Sequence, residues 1–460
     1  MKKNIDLLHG KILRSLTGLA LPIMATSLVQ TAYNLTDMAW IGMVGSDAVA
    51  AVGAAAMYTW LSSGVVTLAR MGGQVKSAHA HGEGNLAEAV QYGKGALQLA
   101  LGLAIAYGVL TNMLAGPLIG FFHLNSPMVV ENAILYLRIA CGLIVFAFIG
   151  QTLTGLYTAS GNSRTPFIAN CIGMGANIVL DPLLIFGLGP VPGLGVAGAA
   201  IATVSAQFIV ALVLVLAMRR DPVLAAQMRI WNPTPLSNIK TMIRIGFPSS
   251  VQSMLYCGIS MVLTRFVTSW GDTAVAVQRV GGQIESISWM TADGFGSAIN
   301  AFVGQNYGAG KPERIWAGIK ASGWMMLVYC AFVFVVLLLG AKTFALLFVE
   351  ASELEILKDT ELFLHISVIF FPVLGLLCIL RYTIQGAGYT NLAMLSGVSE
   401  MIARTLVSLF AVPAWGYFAV CFGDPTAWVF ADLFLIPAFI YVYGRIKRIV
   451  PPSVGAATVA

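Results

Sequence analysis

The sequence predicts an all-α polytopic membrane protein, with twelve transmembrane helices in two six-helix lobes related by a pseudo-two-fold axis along the membrane normal. Three observations carry that prediction. Hydrophobic residues make up 58% of the 460 residues and charged residues only 10%, against about 25% charged in an ordinary soluble domain. The apolar runs, such as Leu97–Ile119 and Trp324–Leu339, are long and unbroken. A helical crossing needs about 20 such residues, whereas a barrel strand alternates with period two over about ten. Lastly, the second half repeats the first in order. Pro22 matches Pro248, Gly45-Ser-Asp-Ala-Val-Ala-Ala-Val matches Gly271-Asp-Thr-Ala-Val-Ala-Val, Gly73-Gln74 matches Gly304-Gln305, and Tyr157 to Gly161 matches Tyr382 to Gly386. Six crossings per repeat is an even number, so both halves enter the membrane from the same side, as in carriers built from parallel repeats.

Taken in order, the first crossing spans 16–43 and contains Pro22, which removes a backbone donor and predicts a kink, and beyond it Asp37. The second and third, 50–78 and 92–118, are flanked by Lys76 and Lys94. The fourth, 129–157, and the fifth, 164–188, meet near Arg164; the fifth holds Gly173, Gly175, Asn177, Asp181 and Pro182. The sixth, 195–218, opens on Gly193-Leu-Gly195-Val-Ala-Gly198, whose glycines permit close helix approach, and carries Thr203. The first lobe is thus 1–220. Residues 221–238, polar and holding Pro222, Pro233 and Pro235, read as a cytoplasmic linker. The second lobe, 239–460, holds crossings at 239–268, 274–305, 316–344, 358–386, 391–415 and 423–446.

The net charge of +6 is not a nucleic-acid signal. Lys2, Lys3, Lys11 and Arg14 precede the first crossing, Arg219, Arg220, Arg229, Lys240 and Arg244 border the sixth connection, and Arg445, Lys447 and Arg448 follow the last. The odd-numbered connections hold almost none, apart from Lys342 and Lys358 beside Glu350, Glu353 and Glu355. The positive-inside rule then places both termini in the cytoplasm of a multi-pass plasma (inner) membrane protein. The charged start lacks a small-residue cleavage site and is expected to be retained. The six cysteines all fall within predicted spans and none forms a CxxC pair, so neither disulfides nor a metal site are expected. His79 and His81 fall in an expected cytoplasmic loop.

Ionisable residues inside a span are costly and mark functional sites by default. Asp37 and Asp181 are the leading pair. Asn177 lies four residues before Asp181, on the same helix face, and Thr203 can face the same cavity. Two acids, an amide and a hydroxyl form an oxygen-rich site fit for a shared proton or a Na⁺. The plainer alternative is a buried acid that serves packing specificity. In the second half, Glu285 and Asp293 lie roughly on one helix face, and Glu400 and Arg404 have the spacing of an internal ion pair. Arg138, Arg381 and Asp432 are further intramembrane charges without an assigned partner. Met24, Tyr33, Met38, Trp289 and Met290, with Glu285 and Asp293, are the candidate lining of a substrate cavity, because methionine adapts to varied ligands and aromatic faces hold organic cations.

The stretches Leu21-Pro22-Ile through Asp37, Gly45 to Gly53, Asn177-Ile-Val-Leu-Asp181-Pro182, Gly193 to Thr203 and Gly304-Gln305-Asn-Tyr-Gly308-Ala-Gly310 together resemble the multidrug and toxic compound extrusion (MATE) family, in its DinF-like branch. The resemblance covers nearly the whole chain. It implies a secondary active antiporter that exports amphipathic, often cationic organic compounds (drugs, toxins, metabolites) in exchange for H⁺, or alternatively Na⁺, by alternating access. It also implies cation coupling at Asp37, Asn177, Asp181 and Thr203. The NorM-like branch adds a glutamate in helix 7 and an aspartate in helix 10; those positions hold Tyr256 and Leu374 here, which argues against that second cation site. Gly73-Gln-Val-Lys-Ser-Ala-His-Ala-His-Gly also departs from the family form, in what reads as a loop.

A lipid-linked precursor flippase of related fold is the alternative function. It would need several mid-span Arg or Lys for phosphates, and those are few. No GxSxG elbow, HExxH motif or paired histidines point to an enzyme. The expected partners are small organic substrates, H⁺ or Na⁺ and membrane lipids, with no cofactor and no nucleic acid, and the chain is expected to act as a monomer.

Overall fold

A computed structural model describes residues 4–124, 126–188, 191–219, 221–227, 229–267, 272–346 and 354–449. Within that range the side chains of 188, 191, 259–285, 287, 288, 290, 344, 345, 354–356, 417 and 449 lie outside the described set. Among the described residues each expected crossing is helical over most of its length. The first half contains α1 (Ile12–Val44), α2 (Ser46–Gly82), α3 (Leu86–Met113), a short α4 (Ala115–Gly120), α5 (Pro127–Gly142), α6 (Val145–Ala159), α7 (Arg164–Ile185) and α8 (Val196–Met218). A two-residue antiparallel ribbon, β1 (Gly187–Leu188) with β2 (Val191–Pro192), joins α7 to α8. After α9 (Pro222–Gln227) come α10 (Leu236–Val267), α11 (Asp272–Gly308), α12 (Pro312–Ala345), α13 (Leu354–Gly386) and α14 (Thr390–Leu406). A π-helical turn, Val407–Ala411, leads through α15 (Val412–Trp415) and α16 (Tyr417–Val420) into α17 (Gly423–Ile449). Nine of the described helices, and one bent pair, are long and apolar enough to cross a membrane.

The bent pair revises the fourth crossing. It is not one helix but α5 and α6, turned by 46°. Gly142 ends α5 where the side-chain amide of Asn112 on α3 comes close enough to meet a Cβ at 3.0 Å. The Leu143 N–H turns back to Ile139 O and that of Ile144 to Cys141 O, which closes a tight corner without proline. Pro22 and Pro182, by contrast, stay inside continuous helices. A second revision concerns the segment from Gly73 to Gly82. It is not a loop but the last turns of α2, and His79 is buried there. The helix stops at Gly82, and the turn that follows it contains Gly84, whose φ of +73° suits glycine.

The chain folds into two compact units whose bounds cross between the sequence halves. One unit comprises Leu21–Ser77 and Asn85–Cys257, the other Met1–Ala20, Ala78–Gly84 and Gly258–Ala460. The first switch falls between Ala20 and Leu21, next to Pro22. In the first unit, one apolar layer gathers Ile41, Ala51, Tyr136, Leu137, Ile185 and Ala200, and another gathers Leu153, Tyr157, Leu214 and Leu224. The 221–238 stretch is tied to this unit: Gln98 Nε2 donates to Ile230 O at 2.7 Å and to Asn232 O at 2.8 Å, and Gln227 is fully buried.

In the second unit, Trp428 and Phe302 are among the largest buried side chains. The N-terminal segment is clamped onto it. The Leu7 carbonyl accepts from Asn306 Nδ2 and Arg314 Nε at 3.1 Å each, and Lys311 Nζ reaches Leu8 O at 3.2 Å. The Asp6 carboxylate accepts the His9 and Leu8 N–H groups, both at 2.9 Å. Partial burial works against its ionisation, but those two bonds hold it below the ordinary carboxylate range. All six cysteines are free thiols.

Candidate cation-coupling site

The site is built by a glycine-mediated approach of α7 and α8. Gly198 on α8 packs so closely that an added Cβ would overlap the Leu184 carbonyl of α7, and one at Gly193 would stand 2.6 Å from Phe186 O. The Leu194 and Gly195 N–H groups donate to Leu184 O at 2.8 Å and Ile185 O at 3.1 Å, which pins the start of α8 to the end of α7. Gly195 takes φ +53°, open to glycine at little cost. Further along, Gly173 lies against Ala206 and Val210 of α8. Gly175 meets nothing, so it has no packing role of this kind. Asp181, about one turn before Leu184, and Thr203, just over one turn after Gly198, are thereby carried to the same level.

Into that level α1 brings Tyr33 and Asp37, four residues apart on one face. The Tyr33 hydroxyl and Thr203 Oγ1 lie 3.4 Å apart. Asp37 and Asp181 are electrostatic neighbours, with Asn177 against Asp181. Asn177 and Asp181 are wholly buried, and Asp37 is half-buried. Asp37 Oδ1, both Asp181 oxygens and both polar atoms of Asn177 have no hydrogen-bond partner among the described residues. The four expected coupling residues are therefore brought together inside one unit, around carboxylate oxygens whose hydrogen-bonding needs the protein leaves unmet.

Sequence reasoning missed Tyr136 of α5. Its ring belongs to the apolar layer, and its hydroxyl faces Thr203, near Asp37 and Asp181. The available signal was a hydroxyl-bearing residue one helical turn past Asn132 in the fourth predicted span. Gln207, one turn beyond Thr203 on α8, also carries a buried side-chain oxygen without a partner. The apolar layer closes one side of the site, where Trp40 meets Phe186 edge-on with centroids 6.2 Å apart.

Two neighbouring carboxylates repel each other when both are ionised, and a shared proton or a small cation relieves that repulsion. Their neighbours are two tyrosine hydroxyls, the Asn177 amide and the Thr203 hydroxyl. The arrangement can bind one proton between the acids, or one small cation coordinated by several oxygens.

The candidate cavity residues divide between the units. Met24 is half-buried on α1, while Met38 is 50% exposed and about 100° around the helix from Asp37. Trp289 is half-buried and packs edge-on against the buried Trp428 at 6.2 Å. Asp293 is exposed and accepts from the Tyr382 hydroxyl. The side chains of Glu285 and Met290, and of Arg265 and Arg279, lie outside the described residues.

The expected Glu400–Arg404 pair does not form. Glu400 Oε1 is instead 2.5 Å from Arg381 Nη2 of α13, and Arg404 Nη2 is 2.7 Å from Asp424 Oδ1 of α17. Residues four apart share a helix face, but each side chain here finds a better-placed partner on the neighbouring helix.

A family model described as MatE matches residues 22–183 and again 248–410, one match in each half of the repeat. The protein named "Probable multidrug resistance protein NorM" of Thermotoga maritima is 27% identical over 87% of this chain and 86% of its own length. "Probable multidrug resistance protein YpnP" of Bacillus subtilis is 27% identical over 97% of this chain and 98% of its own. Among solved structures, an outward-facing multidrug resistance MATE family transporter of the MOP superfamily superposes with a TM-score of 0.87 at 22% identity, covering 97% of this chain and 99% of that one. With both halves matched by the family model, and the twelve-helix fold shared, this chain belongs to the MatE family of multidrug and toxic compound extrusion transporters.

Proposed function

We propose that this protein is a cation-coupled antiporter that exports amphipathic, often cationic organic compounds in exchange for H⁺. The observation that carries the proposal is the pairing of half-buried Asp37 with fully buried Asp181, where Asp37 Oδ1 and both Asp181 oxygens have no hydrogen-bond partner of good geometry among the described residues. A proton entering from outside neutralises one acid of the pair and relieves the repulsion, and its release inside restores it. Asn177 and Thr203 orient the acids, and Tyr33 and Tyr136 supply hydroxyls that can hydrogen-bond either protonation state. A proton fits better than Na⁺ because neutralising one acid relieves the repulsion with no further ligands.

In this reading the lobes are 1–220 and 239–460, joined by 221–238, and both termini are cytoplasmic, which the basic residues of the connections support. The chain works as a monomer in the lipid bilayer of the cell membrane, with access alternating between its two sides. Met24, Tyr33, Met38, Glu285, Trp289, Met290 and Asp293 are the proposed substrate contacts.

The test is efflux from proteoliposomes of a cationic dye, and of FAD as an anionic comparison. A pH gradient at constant Na⁺ is expected to drive dye movement that Asp37→Asn abolishes. Efflux driven by Na⁺ alone at constant pH would reassign all four residues as Na⁺ ligands. Failure of both gradients with every compound would overturn antiport.

A further inference from the structure

The second unit holds a buried charge cluster that the coupling site does not use. Arg381 on α13 is 8% exposed, Glu400 on α14 is 4% exposed and Asp432 on α17 is 5% exposed. Arg381 is fully engaged on one edge: Nη2 meets Glu400 Oε1 at 2.5 Å and Nε donates to Ser396 Oγ at 3.2 Å. Ser396 Oγ donates in turn to Ala393 O at 2.7 Å. Asp432 is an electrostatic neighbour of both Arg381 and Glu400, yet neither of its oxygens has a hydrogen-bond partner among the described residues. One turn earlier on the same face of α17, the buried Trp428 Nε1 is likewise unpartnered. Cys378 on α13 is a further titratable neighbour, as is Tyr382, whose hydroxyl donates to Asp293 on α11.

The charges do not balance. One guanidinium faces two carboxylates, and the shorter pairing gives it to Glu400. A buried carboxylate left outside such a pair is strongly disfavoured in its charged form. We propose that Asp432, framed by the Arg381–Glu400 ion pair, is a second proton-binding site, located in the C-terminal unit. The ligand is a proton rather than a metal cation. The adjacent guanidinium repels a second fixed positive charge, and Glu400 has already committed an oxygen to it, so the set of free oxygens is too small for Na⁺. The step is a single proton transfer from the aqueous phase to a carboxylate oxygen of Asp432, and its reversal.

The ion pair makes a further outcome specific. Removing the Glu400 charge frees Arg381 to pair with Asp432, which then stays ionised and no longer takes up a proton. Two substitutions at different residues thus converge on one spectroscopic change.

The experiment is infrared difference spectroscopy between acid and alkaline pH on the purified full chain in proteoliposomes. The wild type is expected to show a carboxylic-acid C=O band from a buried, titrating group. Asp432→Asn is expected to lose that band while the bands of Asp37 and Asp181 persist. Glu400→Gln is expected to lose the same band. Its persistence in Asp432→Asn, or in Glu400→Gln should the first variant fail to fold, would overturn the assignment. Protonation is read here without any transport, so failure of the antiport proposal would leave this result standing, and the reverse.

Discussion

Asp181→Asn separates a coupling acid from a structural one. In the wild type, Asp181 is fully buried, lies beside Asp37, and neither of its oxygens has a hydrogen-bond partner of good geometry among the described residues. The amide is nearly isosteric and carries N–H donors. Placed at position 181, it can donate to the Asp37 carboxylate, which turns a repulsive pair into a donor–acceptor pair. A hydrogen bond to a charged group contributes about 1.5–3 kcal/mol, so the variant should be more stable than the wild type by that order at alkaline pH. At acid pH, where both carboxyls carry protons, repulsion is absent and the gain should vanish. One kcal/mol shifts Tm by roughly 2–4 °C in chains of 150–250 residues, and by less in one of this length, so a rise of a few degrees is expected. Thermal unfolding followed by intrinsic tryptophan fluorescence in detergent, at two pH values, measures it. Parallel proteoliposome efflux should fall steeply, because a single remaining acid no longer shares a proton. A variant with lowered Tm at alkaline pH, or with wild-type transport, would refute the reasoning.

Other perturbations probe the surroundings. Gly198→Leu drives a side chain into the Leu184 carbonyl; overpacking of this kind costs about 1–3 kcal/mol or more, so folded yield on gel filtration should drop sharply while Gly175→Ala remains near wild type. Tyr136→Phe keeps the apolar packing and removes only the hydroxyl near Thr203; transport should weaken a few-fold and its pH optimum should move, with Tm nearly unchanged. Arg381→Ala leaves Glu400 buried without its partner and should cost roughly 3–5 kcal/mol, whereas Arg404→Ala, whose partner Asp424 is one-third exposed, should cost far less in the same unfolding assay. Asp6 is held below its usual range by two N–H bonds. Its stabilising effect should therefore be complete above about pH 4 and be lost as pH falls through the lowered value. Asp6→Ala should speed hydrogen exchange at Leu8 and His9 at neutral pH and make no difference in strong acid.

The fold class was legible in the sequence, and so were Asp37, Asn177, Asp181 and Thr203 as candidates for one site. In a chain this apolar, a crossing is written in contiguous residues, and a charge within it stands out without knowledge of any neighbour. The repeat, read from Pro22 and Pro248, Gly73-Gln74 and Gly304-Gln305, was legible for the same reason. What the sequence left open depends on contacts between segments far apart in the chain. Glu400 and Arg404 have the right spacing for a pair, yet the helix surface presents each to a different neighbour, and only packing chose Arg381 for one and Asp424 for the other. The corner between α5 and α6 rests on the approach of Asn112 to Gly142, thirty residues away along the chain and without a breaker in sequence. Tyr136 reads as one more apolar aromatic until α5, α7 and α8 meet and set its hydroxyl against Thr203. Local hydropathy decides which residues enter the membrane. Which buried polar atoms find partners, and which stay unmatched as Asp181 and Asp432 do, is decided by the tertiary structure, because a hydrogen bond needs two groups at one place and the sequence alone specifies only one of them at a time.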